Sequence, residues 1–418
     1  MKKITTFLFS LAIAGTSFAT VINDTVHTNP NYTNDNYYRL SDLNQSTVDR
    51  SNWDIAFACD GLGGQAFNLR INGGIGTELY LFSNDTSDWS TLDTTGFNWS
   101  QNQLFNMDTS WSVGAFNSLT PQSGFDLGWG TYNMTTHHIN GDRIFIVKLA
   151  DATYRKLIVE SLISGVYTFK YAPLTGGNTT TDMITKSNYT GKNFAYYSLQ
   201  NGMALNREPD SEDWDLLFTK YVTMIAPNTP YAVTGVLANH SVKVAQVNNV
   251  ADPYTESHIG PTYGHYINII GSDWKSFNMS TFQFDIEDSL VYFVEDHNTH
   301  IYRIVFTGFT GQSAGEYHLD VEKVTGVGVE ETIELDNNIL NVFPNPAGNN
   351  VTVTFNASDN NSFISIIDIT GKEVLTRNIN QGKGLTQERF NVVDLKQGIY
   401  FIRITSGNKT STEKLIIK

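Results

Sequence analysis

One phrase occurs twice in this chain, and its recurrence constrains the fold more than any other feature. Ser51-Asn-Trp-Asp-Ile-Ala-Phe57 returns as Glu212-Asp-Trp-Asp-Leu-Leu-Phe218, with the tryptophans 161 residues apart (53 to 214). Tyr37-Tyr38-x-Leu40 returns as Tyr196-Tyr197-x-Leu199. Trp129-Gly-Thr-Tyr-Asn-Met-Thr-Thr136 returns as Trp274-Lys-Ser-Phe-Asn-Met-Ser-Thr281, now 145 residues on (129 to 274). Asp142-Arg-Ile-Phe-Ile-Val147 and Tyr154-Arg-Lys-Leu-Ile-Val159 return as Ser289-Leu-Val-Tyr-Phe-Val294 and Ile301-Tyr-Arg-Ile-Val-Phe306. Matches in one order with a shrinking offset imply a duplication whose second copy has lost loop residues. The period is too long for a solenoid, and 418 residues exceed what one core serves. The spacing places copy one at 20–188 and copy two at 189–328.

Each copy reads as strand. Apolar, β-branched and aromatic runs at 144–149, 157–162 and 166–171 are separated by Gly, Asn and Asp turns. In Val166-Tyr-Thr-Phe-Lys-Tyr171 the alternation puts Tyr167, Phe169 and Tyr171 on one face. Asp54 and Asp215 beside the repeated tryptophans suit acceptors of local backbone N–H groups. The fold class predicted is all-β with minor helix: two tandem β-rich domains and a small C-terminal β-sandwich.

The net charge of −15 argues against nucleic acid or anionic lipid as partner. Cys59 is the only cysteine, so no intrachain disulfide forms. Its place at the end of the Trp-Asp strand predicts a buried, inert thiol.

The two ends read as export signals. Met1-Lys2-Lys3, an apolar run over 4–14 and Thr16-Ser17-Phe18-Ala19 form a secretory signal peptide over 1–19. That run is too short to span a bilayer, and no later stretch is long and apolar enough. At the other end, past a short acidic linker at 329–336, stand Asn341-Val-Phe-Pro-Asn-Pro-Ala347, Ile366-Ile-Asp-Ile-Thr-Gly-Lys-Glu-Val-Leu375, Gly398-Ile-Tyr-Phe-Ile-Arg-Ile404 and Lys414-Leu-Ile-Ile-Lys418. Val351-Thr-Val-Thr-Phe355 alternates as a half-buried strand does. Thr370-Gly371-Lys372 reads as a hairpin turn in which Gly supplies the positive φ. Residues 337–418 resemble the C-terminal sorting domain that Bacteroidota proteins carry for type IX secretion. The resemblance implies Pro344, Asn345, Pro346, Gly398, Tyr400 and Lys418 as sorting-signal residues. It also implies the type IX machinery as partner, and a secreted or outer-surface location.

The repeat itself, clearest over 37–171, resembles the HmuY-like haem-binding proteins of Bacteroidota. The carrying features are the Trp-Asp-Ile-Ala-Phe strand, Gly128-Trp-Gly-Thr-Tyr-Asn133 and the paired strands around Tyr154-Arg-Lys-Leu. What this implies is an extracellular, non-catalytic binding protein with haem or a related tetrapyrrole as cofactor, haem being held by axial His or Met. Haem iron needs an imidazole or thioether within apolar walls. Met134-Thr-Thr-His-His138 is the best cluster, which makes Met134, His137 and His138 the ligand candidates. Copy two keeps Met279 but carries Phe282 and Gln283 in place of the histidines. Adjacent histidines on a strand face opposite ways, so one at most serves a given pocket.

His297-Asn-Thr-His300, with Glu295 and Asp296 beside it, is a candidate divalent-metal pair. No catalytic motif stands out: there is no Gly-x-Ser-x-Gly, His-Glu-x-x-His or phosphate loop. The sequence therefore points away from an enzyme. The alternative to haem is a non-catalytic surface module that engages protein or glycan.

Overall fold

The computed structural model describes residues 20–63, 66–226, 229–325, 339–357, 362–379, 384–406 and 409–418. The expected signal peptide at 1–19 and linker at 329–336 lie outside them. The chain is built of strands, with one four-residue α-helix at Trp99–Asn102 among the described residues. It divides into two compact units, 1–327 and 328–418.

The first unit contains two lobes, each with its own core. Lobe A is continuous in sequence. One of its sheets runs Met203–Leu205, Phe194–Ser198, Ile55–Ala58, Leu69–Ile71. The other runs Thr180–Thr185, Val166–Pro173, Tyr154–Ile163, Ile144–Lys148, Glu78–Ser83, Gln103–Leu104. A hairpin, Gly130–Asn133 with His138–Gly141, joins this sheet where His138–Gly141 pairs with Tyr154–Ile163. The core between the sheets holds Phe57, Trp129, Phe145, Tyr167, Phe169 and Tyr197. Tyr167, Phe169 and Tyr171 are buried while Val166, Thr168 and Lys170 are half-buried, as alternation predicts. Cys59 is fully buried, and burial pushes its thiol up to about 12.

Lobe B repeats this plan but borrows the start of the chain. Its sheets run Thr229–Ala238, Leu216–Ala226, Asn34–Arg39, Asn44–Asp49 and Ile22–His27, Glu316–Lys323, Ile301–Phe309, Leu290–Glu295, Lys243–Asn248. The hairpin Lys275–Asn278 with Gln283–Ile286 is the counterpart of the lobe A hairpin. The core joins Val26, Tyr38 and Leu40 to Phe218, Trp274 and Tyr317.

The expected boundary at 188/189 therefore does not separate the cores. Each Tyr-Tyr strand closes on the Trp-Asp strand of the other sequence copy: Tyr197 opposes Ile55, and Tyr38 opposes Leu216. Lobe A spans 55–199 in its core, whereas lobe B combines 26–40 with 216–321. The aspartates fix this pairing. Asp54 Oδ2 accepts from Leu199 N, and Asp215 Oδ2 from Leu40 N, both at 2.7 Å. The amides of Asp54 and Asp215 in turn donate to Tyr197 O and Tyr38 O.

Between the lobes lies a third cluster with Tyr37, Ala56, Trp111, Phe194, Tyr196, Trp214 and Leu217. The equivalent phenols of Tyr37 and Tyr196 meet there at 3.2 Å. Arg207 pairs with Asp35 at 2.7 Å, both side chains buried.

The second unit is a sandwich of a three-stranded sheet (Ile339–Phe343, Asn350–Ala357, Gly384–Asn391) and a four-stranded one (Glu373–Ile379, Ser362–Asp368, Gly398–Ser406, Lys409–Ile417). Val351, Val353 and Phe355 face its core. Gly371 adopts φ 85° in the turn, where Asp368 Oδ1 caps the Thr370 and Lys372 amides.

Candidate functional site

Both lobes carry a cleft at the same place, beneath the hairpin. In lobe A the hairpin turn is set by Asn133, whose Oδ1 accepts from Thr135 N and Thr136 N. His137 N then donates to Asn133 O at 2.8 Å, and His137 takes the left-handed φ of 58°. His is among the residues that tolerate this region. The lobe B turn is built alike: Asn278 caps Ser280 N and Thr281 N, and Phe282 sits at φ 55° with its amide on Asn278 O.

The lobe A cleft measures about 540 Å³, within the range of small-molecule sites. Its apolar walls include Phe67, Phe125, Leu127, Ile139 and Leu162. Four polar side chains also line it: Tyr132, His137, Ser164 and Lys186. The Tyr132 phenol lies 2.7 Å from His137 Nδ1. With Nδ1–H donating to that oxygen, the Nε2 lone pair is left free for a metal. Lys186 comes from the turn Lys186–Tyr189 that follows the edge strand. Burial pulls its ammonium below the usual lysine range. The ammonium donates to Ala66 O and lies 5.5 Å from the Tyr167 ring centroid; it makes no ion pair within 4 Å among the described residues, and the Asp60 carboxylate acts on it only from farther away.

Of the three expected ligand candidates, the structure places only His137 in this cleft. Met134 is 61% exposed and outside the lining; its counterpart Met279 is likewise exposed and outside the lobe B lining. His138 begins the returning strand opposite Asn133, half-buried and also outside the lining. The reason is the turn: at left-handed φ His137 leaves the strand alternation that the sequence reading assumed. Lys186 and Tyr132 escaped that reading. Tyr132 was legible at strand spacing, whereas Lys186 lies on a separate turn with no motif around it.

The donor set can be tested against a haem. The apolar walls, one imidazole with its second nitrogen oriented and one lone ammonium suit a single axial bond and one carboxylate anchor. Among the described residues lining the cleft, there is no second His and no Met.

His297 and His300 do not form a site together. His297 Nδ1 lies 3.5 Å from Asp215 Oδ1, and His300 Nδ1 lies 3.3 Å from Asp296 Oδ2. Asp296 Oδ1 is already taken by the Asn298 and His300 amides. Among the described residues no three His, Cys, Asp or Glu side chains gather as a metal requires.

The sorting-signal residues hold the last strand. Asn345 Nδ2 donates to Lys414 O and its Oδ1 accepts from Ile416 N, so the side chain continues the ladder. Pro344 and Pro346 flank it, exposed. Gly398 opens the strand that pairs with Ile417, Tyr400 Oη donates to Lys396 O, and Lys418 N donates to Ala347 O.

One buried acid has no counterpart in the sequence reading. Glu208, at the lobe interface, accepts from Tyr196 Oη at 2.6 Å and from Asn193 N at 3.0 Å. Burial outweighs these bonds and pushes its carboxyl up to about 7.

Comparison with known families fits this geometry. Residues 31–171 match the family model described as HmuY protein. Residues 341–418 match that of a secretion system C-terminal sorting domain. The first match begins in the strands that close lobe B and ends in lobe A, so one HmuY domain contributes to both cores. The sorting domain marks the chain for type IX secretion to the cell surface or extracellular space. No helix among the described residues is long and apolar enough to cross a membrane. No curated protein matches the chain. A solved structure titled "Biofilm associated protein - BSP domain" aligns over 98% of this chain and 68% of its own. Its identity is 8% and its TM-score 0.16, too low to indicate a shared fold.

Proposed function

We propose that this is an exported, non-catalytic haem-binding protein whose ligand occupies the lobe A cleft. The carrying observation is His137, an imidazole held by Tyr132 at the mouth of an apolar cleft within the HmuY-matching segment. His137 Nε2 would hold the iron, and Lys186 would pair with a carboxylate of the ligand. Both copies of the duplication are HmuY-like in this reading, because the strand order of lobe A recurs in lobe B. Bound there, haem would bring the iron that the imidazole could hold. The chain's own residues orient that imidazole, exclude water with Phe67, Phe125 and Leu127, and neutralise one carboxylate.

The test is a haemin titration of the full chain followed by absorbance. A saturable red shift of the Soret band is expected, lost in His137→Ala and weakened by about tenfold in Lys186→Ala, the scale of one partly buried ion pair. A spectrum that does not shift, or a shift indifferent to His137→Ala, overturns the reading.

A further inference from the structure

We propose that the lobe B cleft is a second ligand site, and that it takes a neutral saccharide. This cleft measures about 770 Å³ and lies under the Lys275–Asn278/Gln283–Ile286 hairpin, as its counterpart does in lobe A. The lining has been exchanged position by position. Phe277 stands for Tyr132, Phe282 for His137, Phe284 for Ile139 and Phe309 for Leu162. In place of the turn that supplies Lys186, the Pro30–Tyr32 turn supplies Tyr32.

Two consequences follow from that exchange. None of the residues lining the lobe B cleft is Asp, Glu, Lys, Arg or His. An anionic ligand would enter without a counter-charge, and a metal without a nitrogen or carboxylate donor. The second consequence is a connected row of rings. Phe277 and Phe284 meet at 5.2 Å, Phe284 and Phe309 at 4.8 Å, and Tyr32 lies parallel to Phe309 at 6.1 Å. Gly311 makes room for this row: a Cβ there would stand 2.8 Å from the Phe284 ring. Phe277 is 48% and Phe282 75% exposed, so aromatic surface is presented to solvent.

Uncharged hydrogen-bonding groups share the lining with the rings, chiefly Gln283, Thr307 and Gln312. All three are exposed. The Gln312 amide nitrogen is committed to Asn31 Oδ1, which leaves its carbonyl as an acceptor. Aromatic surface for the C–H faces of a sugar ring, with amides and a hydroxyl for its O–H groups and no charge, is the complement of a neutral glycan. A tetrapyrrole dicarboxylate is disfavoured because its propionates would find no cation in the lining; the Lys275 ammonium, 4.8 Å from the Phe309 ring centroid, lies outside it and donates to Thr234 O. The site stands apart from the tetrapyrrole reading of lobe A, since the two clefts share no residue.

The test is calorimetric titration of the full chain with maltohexaose, cellohexaose and chitohexaose, repeated with Phe282→Asn, Gln312→Ala and His137→Ala. Asn is at ease at the positive φ of position 282, so the first variant keeps the turn. Binding of at least one sugar is expected, weakened roughly tenfold by Phe282→Asn, the effect of one lost ring contact. Gln312→Ala also weakens it, and His137→Ala leaves it unchanged. Three possible results overturn the proposal. One is no heat with any of the sugars at millimolar concentration. Another is binding indifferent to both lobe B substitutions. The third is haemin or metal-free protoporphyrin IX retained in His137→Ala and lost in Phe282→Asn, which assigns lobe B to tetrapyrrole.

Discussion

At the residue scale, the buried polar groups carry the most readable consequences. Glu208 is the clearest. Its carboxyl is raised from the ordinary range to about 7 by burial at the lobe interface. The folded state therefore holds its proton more tightly than the unfolded chain. That contribution is fully present below the unfolded value near 4.5, shrinks as pH rises, and is gone above about 7. Denaturant midpoints of wild type and Glu208→Gln, measured at pH 5 and pH 8, should show it. The wild type should lose on the order of 3 kcal/mol relative to the variant over that interval. Parallel pH profiles would contradict the assignment. Asp54 makes a second case. Asp54→Ala leaves the buried Leu199 amide without its acceptor and should cost about 1–3 kcal/mol, read from urea unfolding. The structural role of both repeated aspartates was legible in the sequence from their place beside a strand-start tryptophan. Glu208 was not, because nothing local distinguishes a buried acid from the solvated acids that follow it in Asp210, Glu212 and Asp213.

At the element scale, what the sequence showed well was anything local. Alternation in 166–171 and 351–355, the turn at Gly371 and the inert Cys59 depend on neighbours in the chain, and each has the predicted form. The hairpin at 133–138 was harder. Its residues stand out in the sequence, but strand alternation does not extend to His137, which lies in the turn that Asn133 caps. Asn133→Ala should release the Thr135 and Thr136 amides and loosen His137. Reduced haemin affinity with little change in global stability is the expected outcome, measured by absorbance titration alongside thermal unfolding. An unchanged affinity would show that the turn does not position the imidazole. Lys186 was invisible in sequence because it reaches the cleft only through sheet pairing between Thr180–Thr185 and Val166–Pro173.

At the scale of the whole molecule, the duplication was visible but its closure was not. Sequence order places each Tyr-Tyr phrase before its own Trp-Asp phrase, whereas strand pairing joins each to the other copy. Two similar partners compete for one edge, and only the three-dimensional ladder decides between them. The consequence is an asymmetry in independence. A fragment of residues 53–205 contains every strand of lobe A and should fold alone, giving a cooperative thermal transition by circular dichroism. A fragment of residues 189–325 lacks Ile22–His27 and Asn34–Arg39, leaves two sheet edges and part of its core open, and should not. A cooperative transition from the second fragment would contradict the discontinuous lobe.

The same asymmetry runs through the clefts, one with an imidazole and an ammonium, the other with rings and amides. The most direct measurement is the stoichiometry of haemin bound by the full chain. One equivalent, abolished by His137→Ala, is the predicted result. Two equivalents of like affinity, or one that survives His137→Ala, would contradict it.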